Sequence, residues 1–294
     1  MRVRTGVLLC AAALGISATA GAQTAPASPF DTVAAILRTP AVPSAGYVRF
    51  NLPRRDLTVT LNGVTLAVPM ALGAWAGFAG TARQAEAMGD LVLTPGELGP
   101  VLAELARRRI AVTAIHNHLV GEVPRLAYVH FHAMGTPADL ASRLDAVLAL
   151  TGTPRPVAPV RAPPVTIDTA LIFRALGASG GGHAAGSVAQ LGFDLVRRRV
   201  RWQGRTLVPA LAYATPIDIQ MVNPGRAVAT GDFAVLADAV PRVLGAFAAG
   251  GITADALHTH LIGESPTVYF IHFWADGPLA DVVHGLRAAL DSTK

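Results

Sequence analysis

The sequence contains two copies of one segment, and this duplication limits what the chain can fold into. When the sequence is shifted by 142 positions, residues 110–131 align with residues 252–273, and ten of the 22 aligned residues are identical. At the same shift, GDLVL (89–93) aligns with GDFAV (231–235). Self-similarity of this length indicates a tandem repeat in which each copy is one structural unit.

A proline-rich segment separates the two copies. TGTPRPVAPVRAPP, beginning at Thr151, holds five prolines, which is typical of an extended connector. These boundaries give a signal peptide (1–22), a disordered N-terminus (23–30), a first repeat domain (31–150), a proline-rich linker (151–166) and a second repeat domain (167–294).

Each repeat predicts an α+β fold. DLTVTLNGVTL alternates apolar and polar residues around Asn-Gly, which is a strong hairpin signal. TPGELGPVLAELARRRI has helical spacing of its leucines and opens with the capping residues Thr94 and Glu97. VTAIHNHL and AYVHFHAM predict two further strands, and TPADLASRLDAVLAL predicts a closing helix. We therefore expect two tandem homologous units, each a mostly antiparallel sheet covered by two helices.

The histidines concentrate in the two predicted strands that follow the first helix. His116 and His118 are two residues apart, so in a strand they point to the same face. A hairpin symmetric about Val123 would place His130 directly opposite His116, on that same face. His132 follows by alternation, although Trp274 stands at its place in the second copy. The second copy repeats the pattern around Ser265 with His258, His260 and His272.

Three imidazoles on one face predict a metal site in each repeat. Three histidines are a common ligand set for a divalent transition metal, with zinc the leading choice, and they leave a coordination position open. Glu122 and Glu264 lie at matching places near the turn and are candidate catalytic bases or additional ligands. Asp90 and Asp232 begin the preceding strand and are weaker candidates.

Two other interpretations fit the same residues. The histidines could be structural, in a non-enzymatic cell-envelope module that binds a small molecule or an envelope component. Alternatively, one copy could be active and the other degenerate, as His132 against Trp274 suggests. The sequence leaves open whether the protein is an enzyme, because nothing in it selects a reaction.

The first residues predict export. Arg2 and Arg4 precede the apolar run GVLLCAAALGI, and small residues ending at Ala22 follow, as in a secretory signal peptide. The apolar run is shorter than the ~20 residues that span a bilayer, so we expect a periplasmic or secreted protein without a transmembrane helix after cleavage. A retained anchor is the alternative.

The composition limits which residues can form a metal site and which partners the protein can have. Cys10 is the only cysteine and lies in the predicted signal peptide, so a metal site in the mature protein must use His, Asp and Glu. The net charge of +5 falls to +3 when residues 1–22, with two arginines and no acidic residue, are removed. No basic run interleaved with aromatic residues is present, and we therefore expect no nucleic-acid partner.

The strings MGDLVLTPGEL, VTAIHNHLVGEVPRLAYVHFH, TGDFAV and ALHTHLIGESPTVYFIHF resemble the LppY/LpqO family, exported bacterial proteins and lipoproteins defined by domain of unknown function 1259. The resemblance covers both repeats and implies export, but it brings no established reaction and no catalytic residues. This chain departs from the family pattern by lacking a lipoprotein cysteine at the expected place and by having Thr259 where the pattern has Asn.

Overall fold

The structure, a computed structural model, describes residues 28–158, 163–178 and 182–294. The predicted signal peptide, residues 23–27 of the predicted disordered N-terminus and residues 159–162 of the predicted linker lie outside these described residues.

The first repeat is one six-stranded antiparallel sheet with helices on one side. Its elements are α1 (Asp31–Leu37), β1 (Ala41–Ser44), β2 (Tyr47–Pro53), β3 (Thr60–Leu61), β4 (Val64–Thr65), β5 (Gly73–Gly80), β6 (Ala85–Leu93), α2 (Pro95–Arg107), β7 (Ala111–His116), β8 (Ala127–Gly135) and α3 (Pro137–Leu148). The strand order is β1-β2-β5-β6-β8-β7, and β3 and β4 form a separate small hairpin. Helix α3 packs on β6 and β8, and α1 and α2 pack on α3.

The second repeat has the same plan. Its elements are α4 (Thr169–Leu176), β9 (His183–Ala185), β10 (Val188–Phe193), β11 (Arg201–Trp202), β12 (Arg205–Thr206), α5 (Pro209–Ala212), β13 (Thr215–Asn223), β14 (Arg226–Leu236), α6 (Val240–Ala249), β15 (Thr253–His258), β16 (Val268–Gly277) and α7 (Leu279–Ser292). The strand order β15-β16-β14-β13-β10-β9 is the first order read from the other end. The predicted pair of α+β repeats is confirmed.

Local signals explain the small hairpins and the longer first-repeat helix. Asn62 and Gly63 have φ values of 50° and 77°, the left-handed pair that a tight two-residue hairpin requires. Gln203 and Gly204 repeat this with 47° and 77°. Before α2, the Thr94 amide donates to the Glu97 carboxylate at 2.7 Å, as the capping pattern predicts.

The two sheets pack against each other through the faces that carry no helices. Tyr47 and Met88 of the first repeat share one buried cluster with Trp202, Leu211 and Phe270 of the second. Polar contacts cross the same boundary: Gln220 accepts from the Ala67 amide at 2.8 Å and donates to the Thr65 carbonyl at 3.0 Å. The order of layers is therefore helices, sheet, sheet, helices, and the repeats share a core.

Two boundaries differ from the expectation drawn from the sequence. Phe30, assigned to the disordered N-terminus, is buried and its ring lies 6.2 Å from that of Phe78. Thr153 and Arg155, assigned to the linker, are packed on the first repeat, where Arg155 pairs with Asp145. In both places buried contacts hold a segment whose composition alone suggested an extended chain.

No helix within the described residues is long and apolar enough to cross a membrane.

Candidate metal centre

Six histidines meet where the two sheets face each other. His130 and His272 lie on the central strands β8 and β16, whereas the other four stand at or just beyond the ends of the edge strands β7 and β15. We call these residues the histidine cluster: His116, His118, His130, His258, His260 and His272.

The predicted hairpin register is wrong by two residues. His116 lies opposite Tyr128, and His130 lies opposite Ala114, with a bulge between Val112 and Ala114. The second repeat shows the matching register, with His258 opposite Phe270. A slip of two residues preserves the face to which each side chain points, so the predicted common face survives the error.

The loop that sets this register is held by Glu122. Its carboxylate accepts a hydrogen bond from the Leu126 amide at 2.9 Å, and the Asn117 side chain donates to the Leu126 carbonyl at 3.2 Å. Glu264 holds the second loop in the same way, accepting from the Val268 amide at 3.2 Å. The two glutamates, expected as catalytic bases or ligands, thus have one oxygen committed to their own loops.

The closest imidazole pairs join the two repeats. Ring centroids lie 3.9 Å apart for His116 and His258, 4.0 Å apart for His118 and His272, and 3.8 Å apart for His130 and His260. Within the first repeat, His116 lies 4.8 Å from His130 and 5.0 Å from His118. The sequence analysis assigned one site to each repeat, whereas the structure brings both sets of histidines into one cluster.

Hydrogen bonds orient the two central histidines. Nδ1 of His130 lies 3.3 Å from the Gly89 carbonyl, and Nδ1 of His272 lies 3.3 Å from the Gly231 carbonyl. A carbonyl oxygen only accepts, so in the neutral form of each ring these contacts place the proton on Nδ1 and the lone pair on Nε2. This is the arrangement of metal-ligating histidines, which usually donate their second ring nitrogen to an oxygen.

The Nε2 atoms of the cluster are buried and make no hydrogen bond within the protein. Among the described residues this holds for all six cluster histidines, although Nε2 of His118 faces the Asp90 carboxylate. Leaving a buried polar atom unpaired costs about 1–3 kcal/mol, and native structures contain few such atoms. Six of them in one place indicate a site built to bind something.

Two aspartates accompany the cluster at equivalent positions on β6 and β14. Asp232 lies 2.5 Å from Nδ1 of His272, and Asp90 lies 3.2 Å from Nε2 of His118. Burial, with Asp232 nearby, raises the pKa of Asp90 to about 6. Burial also opposes ionisation of Asp232, but His272 outweighs it, so the pKa of Asp232 is lowered and that of His272 is raised.

Four of the cluster histidines are held neutral. Burial, followed by the neighbouring imidazoles, lowers the pKa of His116, His118, His258 and His260 well below the usual value. Neutral imidazole is the form that binds a metal ion. These four side chains are therefore ready to act as ligands at neutral pH.

Four groups of three side chains have ligand atoms within 4.8 Å of one another, so that each could hold a metal ion. They are His116-His258-His272, His130-His258-His260, Asp90-His116-His130 and His118-Asp232-His272. The second and fourth groups share no residue, and each takes ligands from both repeats. These two groups therefore do not compete for a ligand.

The two halves of the cluster are not identical. The ring of His118 stacks on Tyr128 at 3.7 Å, whereas His260 stacks on Phe270 at 3.3 Å. The Tyr128 hydroxyl is buried and unpaired among the described residues. His132 lies outside the cluster against Trp202, with Nε2 3.6 Å from Glu86, in keeping with its exclusion from the predicted ligands.

A cavity of about 770 Å³ between the sheets opens beside the cluster. His118, His130 and His260 form part of its wall, together with Asp90 and Asp232. Its volume falls in the range of small-molecule sites, roughly 300–1,000 Å³. Any group held at the cluster would therefore be reachable by a ligand in this cavity.

Sequence reasoning identified the six histidines and named both aspartates, but it missed that the ligand sets are shared. Which histidines of the two repeats become neighbours depends on how the two sheets pack, and strand alternation does not encode that packing. One feature of the sequence was consistent with a shared site. Three of the four histidines in the first copy have a counterpart in the second, as expected if both copies contribute equally to one symmetric site.

Comparison with known proteins identifies the repeat but brings no activity. A search of curated proteins found no match. A solved structure, that of a fused, permuted hexameric shell protein from the RMM microcompartment, aligns with 72% of this chain and 85% of its own at 18% identity. Its TM-score of 0.19 is too low to carry an argument. The domain described as Domain of Unknown Function (DUF1259) matches residues 31–150 and 170–292, and the chain therefore belongs to the DUF1259 family, with two copies of its domain.

Proposed function

We propose that the two repeats together bind divalent transition-metal ions, zinc most readily, at two positions in the histidine cluster. One position takes His130, His258 and His260, and the other takes His118, Asp232 and His272. The observation that carries the proposal is the set of six buried Nε2 atoms that make no hydrogen bond among the described residues.

The chemistry of these ligands supports zinc. Imidazole nitrogen and carboxylate oxygen are both zinc ligands, and a catalytic zinc site holds three protein ligands with one position left for water or substrate. Such an ion would polarise a substrate or activate water for hydrolysis. The adjoining cavity supports the same reading because it gives a substrate access to the cluster.

Structural histidines, the competing interpretation, would have to satisfy their ring nitrogens within the protein. His116 and His258 have both ring nitrogens unpaired among the described residues. A binding function without a metal would leave the cost of those buried atoms unexplained. We also propose that the protein is exported, because residues 1–22 have the pattern of a signal peptide and the chain resembles exported proteins.

The test is metal analysis of untagged protein, in the wild type and in two double variants. If the positions are shared between repeats, His130→Ala with His260→Ala removes two ligands from one position and leaves the other intact, so one of two bound ions is lost. His118→Ala with His130→Ala removes one ligand from each position and weakens both. Independent sites within each repeat predict the reverse outcome for the two variants.

His284→Ala is the matched control, because His284 is an exposed histidine on α7. Its metal content is expected to equal that of the wild type. Cobalt substitution adds a second readout, because the visible spectrum of the bound ion reports its coordination number. Wild-type protein that retains no metal after loading with zinc would contradict the proposal.

A further inference from the structure

One arginine in the cavity is held in place with its charge unpaired. Arg49 lies on β2 with its guanidinium 4.3 Å from the centre of the Trp75 ring, and its Nε donates to Asn51 Oδ1 at 2.8 Å. Among the described residues, no carboxylate lies within ion-pairing distance of it. Stacking and the Nε bond fix the plane of the group, Tyr47 is a further polar neighbour, and the remaining N–H groups can donate to an anion.

The environment of Arg49 suits an anion. Burial lowers its pKa, although Tyr47, Asp218 and Asp90 oppose the effect. A guanidinium nevertheless stays charged at neutral pH. Arg49 is half-buried, and a cation partly withdrawn from water without a paired counter-ion is unfavourable, a cost that an anionic ligand would reduce.

The opposite side of the cavity has different chemistry at the equivalent position. Arg49 pairs with Gly77 in its sheet, and Gln190 pairs with Asp218 at the same place in the second sheet. Gln190 Nε2 donates to Asp218 Oδ1 at 2.9 Å, and burial raises the pKa of Asp218 to about 7. The duplicated positions thus offer a cation on one side and an amide–carboxyl pair, suited to hydroxyl groups, on the other.

We infer that the cavity binds a small organic anion that also carries hydroxyl groups, with its carboxylate or phosphate on Arg49 and its hydroxyls toward Gln190 and Asp218. Arg49, Gln190 and Asp218 line the cavity together with the cluster residues His118, His130 and His260. A ligand placed in this way reaches the metal positions. The inference deepens the proposed function and rests on it for the role of the ligand as substrate, whereas anion binding itself does not require the metal.

The test is calorimetric titration of metal-free protein with three probes of similar size: glucuronate, glucose 6-phosphate and glucose. At least one anion is expected to bind about tenfold or more tightly than glucose, because a hydrogen bond to a charged group contributes about 1.5–3 kcal/mol. The two anionic probes separate a carboxylate site from a phosphate site.

Arg49→Gln gives the first repeat the residue that the second repeat has at this position, and it is expected to reduce anion binding at least about tenfold while leaving glucose unaffected. Arg83→Gln removes an exposed arginine from the turn between β5 and β6 and controls for net charge. If Arg49→Gln is unstable, Arg49→Lys keeps the charge but loses the planar pair of donors, and weaker anion binding is again expected.

Equal binding of glucose and both anions, no binding of any probe, or unchanged binding in Arg49→Gln would each overturn the inference. Metal content is measured on the same samples after zinc loading. Wild-type protein that takes up zinc in full but binds no anion refutes the ligand site alone, whereas wild-type protein that binds an anion but retains no zinc refutes the metal proposal alone.

Discussion

Glu122 shows how one side chain shapes the candidate site through its own loop. Its carboxylate is 2% exposed and bonds the Leu126 amide, which fixes the loop between β7 and β8. Glu122→Ala would leave that buried amide unpaired, so we expect the free energy of unfolding to fall by about 1–3 kcal/mol. Urea unfolding of metal-free protein measures the change.

The matched variant is Glu122→Gln, which keeps an oxygen at the acceptor position and is expected to retain most of the stability. Both variants should still bind zinc. If Glu122→Gln lost bound metal while remaining as stable as the wild type, the glutamate would be a ligand rather than a residue that holds the loop.

At the level of strands, Gly89 marks a close approach of three strands. A Cβ atom there would lie 2.2 Å from the Trp75 carbonyl on β5 and 2.7 Å from the Phe131 ring on β8. Neither backbone nor a packed ring can move away cheaply, so Gly89→Ala should separate the strands. Because the Gly89 carbonyl also orients His130, we expect both thermal stability and zinc affinity to fall.

Gly99→Ala provides the comparison, because a Cβ atom at this position in α2 meets nothing within 4 Å. Alanine favours a helix by about 0.5–1 kcal/mol over glycine, so this variant should be as stable as the wild type or slightly more so. A Gly89→Ala protein that melts and binds zinc like the Gly99→Ala protein would show that the close contact does not matter.

The elements that local chemistry determines were predictable, and those that depend on distant pairing were not. Asn62-Gly63 and Thr94 with Glu97 encode their hairpin and helix start within a few residues. Strand β5, GAWAGFAG, carries no clear alternation, and its pairing with β2 and β6 is decided by residues far away in the sequence. The register of β7 and β8 depends on the Glu122 carboxylate in the loop that joins them, and the spacing of the histidines does not reveal this contact.

At the level of the whole molecule, duplication produced a site that neither repeat contains alone. The first repeat contributes His118 and His130, and the second contributes Asp232, His258, His260 and His272. The faces that carry these residues are covered only when the sheets pack together. Strand alternation predicts which face each histidine occupies, but only docking of the repeats shows which histidines become neighbours.

Because the repeats share a core, we expect the described parts of the chain to unfold as one unit. Leu211 on α5 is buried and packs on Gly77 of the first repeat, where an added Cβ atom would lie 2.4 Å from its Cδ1. Leu211→Ala should therefore destabilise both repeats together, by about 2–5 kcal/mol for a buried leucine. Calorimetry should show one transition, shifted to lower temperature, with equal van't Hoff and calorimetric enthalpies.

Leu171→Ala is the control, because Leu171 on α4 is 42% exposed and its loss should barely change the transition. Zinc should raise the transition temperature of the wild type without splitting it, since ions held by both repeats stabilise only the docked state. Two separate transitions, of which Leu211→Ala moves one, would mean that the repeats fold independently, and a metal centre shared between them would then have to form after folding.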